Sequence, residues 1–165
     1  MSEPVIIQEV GQSHAALIAA LHAQCFDETQ SAPQLASQSA SWSASNIASM
    51  FEAPGLIALV ARRGDVPLGF VLARYIAGDA EILSVGVLPE ARGAGLGETL
   101  LEGLHHQLQG LDAKARILLD VAADNGPALA LYAKAGYRQV GHRKAYYRRT
   151  NGVFIDSLTM VRERA

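Results

Sequence analysis

The chain is short of cysteine, of aromatic residues and of any excess of one charge, and each shortage excludes something. A single cysteine, Cys25, among 165 residues rules out an internal disulfide and any multi-cysteine zinc or iron–sulfur site. Fourteen Lys+Arg against sixteen Asp+Glu leave a formal charge of −2, without the basic excess of a general nucleic-acid binder. No uninterrupted apolar run approaches the roughly 18–20 residues that a membrane span needs. The start, Met1-Ser2-Glu3-Pro4, lacks the positive and apolar regions of a secretion signal, so the cytoplasm is the expected compartment. The five histidines, His105-His106 included, lack ligand spacing, and no metal is assigned. Half of the residues are hydrophobic and 18% are charged. That composition suits one folded domain over 1–165 with a real core.

The hydrophobic pattern changes period several times. Val5-Ile6-Ile7 reads as a first strand. Ser13 is a candidate N-cap for a helix running to Cys25, with Leu17, Leu21 and Cys25 on its apolar stripe beside Ile18. Residues 29–43 are rich in Ser, Ala and Gln and read as a loop with some helical character. Ser43 caps a second helix through Met50, with Trp42 outside it as a hydrophobic staple. Strands follow over 56–61, 68–76 and 80–88, broken by Gly64-Asp65 and Gly78-Asp79. Leu96, Leu100, Leu101, Leu104 and Leu108 then fall at helical spacing. Arg116 to Val121 reads as a strand buried on both faces. A short helix lies between Pro127, at its first position, and Gly136, just past its end, with Leu129 and Ala133 as its buried stripe. Two closing strands, 140–147 and 153–161, meet at a turn around Asn151-Gly152. The order implies an α/β or α+β domain around a mixed sheet.

The most informative stretch is Val85-Gly86-Val87-Leu88-Pro89-Glu90-Ala91-Arg92-Gly93-Ala94-Gly95-Leu96-Gly97-Glu98. It takes a strand through a glycine-rich turn into a helix start. Small residues admit close backbone approach, and a helix start offers unpaired N–H groups and a positive dipole end. The combination suits a phosphate or pyrophosphate. It is not a Walker A loop, since Gly97-Glu98-Thr99 stands where Gly-Lys-Ser/Thr is required. It is not a dinucleotide fingerprint either, because Glu98 takes the place of the third glycine.

Arg92-x-x-Gly95-x-Gly97, after Val-x-Val-x-Pro, resembles the acyl-CoA pyrophosphate loop of the GNAT acetyltransferases. So does the order of elements. Asp124-Asn125-Gly126-Pro127-Ala128-Leu129-Ala130-Leu131-Tyr132-Ala133-Lys134-Ala135-Gly136-Tyr137 is similar to a second GNAT segment. Further stretches look like the ribosomal-protein-alanine N-acetyltransferases (RimI) within GNAT: Leu21-His22-Ala23-x-Cys25-Phe26, Trp42-Ser43, Leu59-Val60-Ala61, Tyr146-Tyr147-Arg148-Arg149 and Asp156-Ser157-Leu158-x-Met160. The resemblance implies a mixed, mostly antiparallel sheet of about seven strands, flanked by about four helices, with one splayed strand pair.

It also implies roles. Val85, Gly86 and Val87 would meet an acyl-pantetheine arm through main-chain groups. Arg92, Gly93, Ala94, Gly95, Leu96, Gly97 and Glu98 would surround the pyrophosphate of acetyl-CoA. Asn125 would bond the cofactor arm or serve the helix start. Tyr132 would be the general acid toward the departing thiolate, or else an ordinary packed tyrosine. A phenol with pKa about 10 is protonated at neutral pH and can serve a thiolate of pKa about 8.5. Relatives carry a glutamate as general base twelve residues before that tyrosine. Asp120 keeps the spacing but is one methylene shorter, which favours a bridging water. Many relatives have Asn before the Tyr pair where this chain has Ala145, a departure that bears on acceptor recognition. Tyr146 and Tyr147 alternate faces, so at most one enters the cleft.

The implied reaction is direct attack of an amine on acetyl-CoA, with Val87 N–H as a single oxyanion donor and no acyl-enzyme. The expected acceptor is a protein N-terminal α-amine, such as that of a small-subunit ribosomal protein. An α-amine has a pKa of about 7.7–8 and is partly neutral at pH 7. No direct nucleic-acid or membrane contact is implied, and the chain is a monomer or a homodimer. Two alternatives remain: acetylation of a small-molecule amine, and a non-catalytic CoA-binding module.

Overall fold

The computed structural model describes residues 2–26, 34–35, 42–149 and 151–163. Its strands are β1 (Val5–Glu9), β2 (Gln34–Leu35), β3 (Leu56–Arg63), β4 (Val66–Ile76), β5 (Asp79–Val87), β6 (Arg116–Ala122), β7 (Arg138–Arg148) and β8 (Phe154–Arg162). Its helices are α1 (Ala15–Cys25), α2 (Ala44–Glu52), α3 (Leu96–Leu111) and α4 (Gly126–Lys134). The strands form one sheet in the order β1-β3-β4-β5-β6-β8-β7-β2. There are thus seven full strands, as expected from the sequence, and a two-residue eighth inside the stretch read as a loop. The rest of that stretch up to residue 41 lies outside the described residues. Among the described residues no helix is long and apolar enough to cross a membrane.

The continuous apolar runs of β3 and β4 have a simple cause. Ile57, Leu59, Ala61, Val71 and Ala73 face one core, with Leu100, Leu101, Leu104 and Leu108 of α3. Ala58, Val60, Phe70 and Leu72 face the other, with Ile18 and Leu21 of α1 and Ile47 of α2. Both sheet faces are covered, so alternation by side carries no alternation in polarity. Strand β6 differs from expectation. Ile117, Leu119 and Val121 are buried, whereas Leu118 and Asp120 are only partly so. Its second face opens into a cavity rather than a core.

Every pairing in the sheet is antiparallel except β5 with β6. That parallel ladder holds only Asp79↔Arg116, Ala80↔Ile117 and Glu81↔Leu118. Just beyond it β5 bulges against β4, where Leu72 faces Ser84 and Ala73 faces Ile82. The surplus residue, Leu83, bends β5 away from β6. The two strands separate from there to their C-terminal ends and leave a gap in the middle of the sheet.

Several local expectations need correction. Ser13 does not cap α1: a 3-10 turn over Gln12–His14 precedes the helix, His14 is its N-cap, and the Ser13 hydroxyl meets His14 Nδ1. Trp42 stacks on the His22 ring, with centroids 4.5 Å apart, and so joins α1 to α2 rather than stapling α2 alone. Ser43 does cap α2, accepting from Asn46 N–H. Pro127 follows Gly126 as the second helical residue of α4. Ala133 is exposed, and the face of α4 against the core is Tyr132 with Ala128, Leu129, Leu131 and Ala135.

Candidate active site

The gap between β5 and β6 is where the sequence-derived residues converge. Leu88 N–H bonds Leu68 C=O at 2.8 Å. Ladder groups alternate sides along a strand. The peptide groups of Gly86 therefore turn to β4, and those of Val85 and Val87 turn to the gap. Gly86 itself is required for packing. A Cβ there would lie 2.9 Å from Cys25 Cβ and 2.9 Å from Phe70 Cε1, so α1 sits directly on the strand. Burial pushes the Cys25 thiol up to about 11, which makes it a packed apolar group rather than a nucleophile.

The glycine loop closes the same end of the gap. Gly93 and Gly95 hold φ of 82° and 78°, a region that side chains resist. Nothing lies within 4 Å of where their Cβ atoms would be, so the loop is open as well as left-handed. The first bond of α3 runs from Thr99 N–H to Gly95 C=O, which leaves the amides of Leu96, Gly97 and Glu98 without intrahelical acceptors. Gly97 serves helix packing instead. A Cβ there would meet Leu131 Cδ2 at 3.1 Å, so its bare backbone lets α3 and α4 approach. The Glu98 carboxylate pairs with Lys134 at 2.7 Å. Arg92 supports the loop from behind. Its Nε donates to Val87 C=O at 3.0 Å and its Nη2 to Cys25 C=O at 2.9 Å, tying the loop to β5 and α1.

On the other side of the gap, Asn125 Oδ1 accepts from Ala128 N–H at 3.3 Å, which shows its helix-start role. Tyr132 is 6% exposed, and burial raises its phenol pKa. Asp120 lies across the ladder from Thr159, whose hydroxyl donates to Oδ1 at 2.7 Å. Of the tyrosine pair, Tyr147 is the buried member, at 6% exposure. Burial chiefly raises its pKa, and the Asp120 charge adds to the effect. The Tyr147 hydroxyl in turn acts on Tyr132.

Asp120 also lines a cavity of about 330 Å³ with Arg74, Glu81, Leu118, Arg143 and Thr159. Thr159, Glu81 and Arg74 escape a reading of the sequence because each belongs to the site only through cross-strand register.

Residues 18–137 match the acetyltransferase (GNAT) family. The chain belongs to that family. The GNAT fold also relates it to solved structures. The ribosomal-protein-S18-alanine N-acetyltransferase of Escherichia coli superposes with a TM-score of 0.78 at 22% identity, covering 98% of this chain and 95% of that one. A Salmonella typhimurium protein solved with its cofactor acetyl-CoA gives 0.80 at 19% identity, covering 99% and 95%. Among curated proteins, the N-alpha-acetyltransferase RimI of Mycobacterium tuberculosis is 35% identical over 107 residues, 62% of this chain and 63% of that protein. The first curated relatives are matched over 45%, 63% and 55% of their own length.

Proposed function

We propose that this GNAT protein is an acetyl-CoA-dependent N-acetyltransferase whose acceptor is a protein N-terminal α-amine. The observation that carries the reading is the gap itself. It has an open, left-handed glycine loop at one end, the gap-facing peptide groups of Val85 and the Val87 N–H along one wall, and Asp120 and Tyr132 beyond the other. The residues present suit the cofactor. The amides of Gly93 to Glu98 would take its phosphates, the peptide groups of Val85 its amide arm, and Asn125 Nδ2 a further bond. Bound there, the cofactor supplies an acetyl group activated as a thioester.

The chain supplies the proton chemistry. Asp120 accepts the proton that an ammonium must lose before it can attack, directly or through a water. Val87 N–H, facing the gap, stabilises negative charge on the carbonyl oxygen. Tyr132, kept protonated by its burial, delivers a proton to the sulfur as it leaves. The cavity beside Asp120 receives the acceptor. Partial neutrality of an α-amine at pH 7 suits a single carboxylate base better than a lysine ammonium of pKa about 10.4 would. Likeness to relatives named as N-alpha- and ribosomal-protein-alanine acetyltransferases supports this choice, and the N-terminus of a small-subunit ribosomal protein is the leading candidate acceptor.

The test is thiol release from acetyl-CoA with short peptides beginning with Ala, Ser, Met or Lys, beside polyamines and aminoglycosides. Turnover on Ala- or Ser-initiated peptides, abolished by blocking their N-termini, is the expected result. Turnover confined to small amines would discard the protein acceptor. Cofactor binding with no turnover on any amine would favour a binding module.

A further inference from the structure

The β7–β8 hairpin carries an irregularity that the acetyl-transfer chemistry leaves unexplained. Arg143 pairs with Ser157, and the next pair is Tyr147 with Ile155. Four steps along β7 therefore match two along β8, and two extra residues are pushed out of the ladder just before Tyr147. One of the residues in the bulge, Ala145, has φ of 51°, a left-handed conformation that strains a residue with a Cβ. Something must hold it there. Asp156 stands on β8 opposite the bulge. Its Oδ1 accepts from Ala145 N–H at 2.9 Å and its Oδ2 meets His142 Nε2 at 2.7 Å. The backbone of Asp156 is fixed in turn, because Ala123 N–H, just after β6, donates to its carbonyl at 2.8 Å. Beyond the bulge the Tyr147 ring is buried against Tyr146, with centroids 5.2 Å apart, and Arg143 lies 5.0 Å over the Tyr146 ring.

We propose that Asp156 is a positioning residue for the acceptor side of the cleft: it clamps the left-handed bulge at Ala145, and the bulge sets both Arg143, which lines the cavity with Asp120, and the buried ring of Tyr147. The proposal rests on the reading of the cleft as an acetyl-transfer site. It also gives Ala145 a new meaning. The residue type at that position matters for backbone shape, because a side chain with a Cβ resists positive φ. In this chain the shape is held from the neighbouring strand.

The experiment compares Asp156→Ala with Asp156→Asn, which keeps an oxygen acceptor for Ala145 N–H. Asp156→Ala is expected to lower kcat/KM for the acceptor at least tenfold while acetyl-CoA Kd stays within twofold. Asp156→Asn should remain within about threefold of the parent. In a background with both Arg143→Ala and Tyr147→Leu, Asp156→Ala should change kcat/KM by less than twofold, because the residues it acts through are gone. Ala145→Val disfavours the bulge without touching Asp156, so it should reproduce the acceptor-specific loss even if Asp156→Ala does not fold. The proposal is overturned by an unchanged acceptor kcat/KM in Asp156→Ala, by an equal loss in the Arg143→Ala, Tyr147→Leu background, or by a parallel loss of acetyl-CoA affinity.

A parent protein inactive on peptides counts against the proposed acceptor, not against Asp156, and the comparison then uses whichever amine is acetylated. With no active amine, amide exchange decides: Asp156→Ala must accelerate exchange at Ala145 and Tyr147 at least tenfold, and Asp156→Asn must not.

Discussion

Thr159 stands directly across the β6–β8 ladder from Asp120 and holds one carboxylate oxygen with a 2.7 Å hydrogen bond. The bond fixes the rotamer of a short side chain and leaves the second oxygen to the cavity that Asp120 lines. Removing the proposed base should therefore cost more than removing its support. Asp120→Asn is expected to lower kcat/KM about 10²-fold, within the range of general-base effects. Thr159→Val should lower it about tenfold through misorientation. Acetyl-CoA affinity, measured by calorimetry, should be unaltered in both. Equal rates in Asp120→Asn and the parent would remove Asp120 from the chemistry.

Tyr132→Phe should reduce turnover about 10²-fold with acetyl-CoA affinity nearly unchanged. Burial raises the pKa of this phenol, so its neutral form persists through and beyond its ordinary value of about 10. The rate should consequently show no alkaline limb from Tyr132 up to about pH 10. A phenolate absorbance titration of the folded protein offers an independent check. Tyr75, Tyr132 and Tyr147, three of the five tyrosines, are all raised and should ionise late.

His22 makes stability sensitive to mild acid. Its ring lies between Trp42, Phe26 and Phe70, and burial lowers its pKa from 6.5 to about 4. Between those values the unfolded chain binds a proton that the folded chain does not. Stability falls as pH drops from about 6.5 to 4, and below about 4 the loss stops growing. With the ring partly screened by solvent, the effect is on the order of 2 kcal/mol. Urea melts at pH 7 and pH 5 should differ more for the parent than for His22→Leu. An identical pH dependence in the two proteins would acquit His22.

Ala77 and Ala145 are the two non-glycine residues with positive φ among the described residues, at 52° and 51°. Glycine accepts that conformation without a Cβ clash. Ala77→Gly and Ala145→Gly are each expected to add about 0.5–1 kcal/mol. Calorimetry should register each as a rise in Tm of about 1–4 °C at this chain length. A fall in Tm for either would mean that the left-handed geometry is not the dominant local effect.

Local patterns explain which features are legible in the sequence. The leucines of α3 fall on one face because burial against the sheet demands a 3.6-residue period, and that period is visible without the sheet. Gly93 and Gly95 stand out because few residues take their backbone angles. The spacing of Asp120 and Tyr132 is legible through resemblance, since the strand and helix that carry them are joined by a short turn. Features that depend on distant partners stay hidden. The left-handed Ala145 is held by Asp156 eleven residues away. Thr159 reaches Asp120 from thirty-nine residues away. Ser13 reads as a cap but is not one, because an intervening 3-10 turn moves the helix start one residue on, against the local preference for Ser at an N-cap. Ala133 reads as buried but is not, because Tyr132, one residue earlier, takes the core side of a helix only nine residues long.

The short parallel ladder between β5 and β6 has a further consequence, for folding cooperativity. Three residue pairs connect the antiparallel group β1-β3-β4-β5 to the group β6-β8-β7-β2. The hydrogen-bonded ladder is in this sense two sheets welded at one corner above a core that both share under α3, and each can open at the gap without breaking its own hydrogen bonds. The cofactor proposed for the opening would bond to both groups, so mass action would favour their joint state. Native-state hydrogen exchange should resolve the amides of β4 and β5 from those of β6 and β8 in the free protein. Saturation with acetyl-CoA should merge them into one unit, which would make the loaded protein the more cooperative fold.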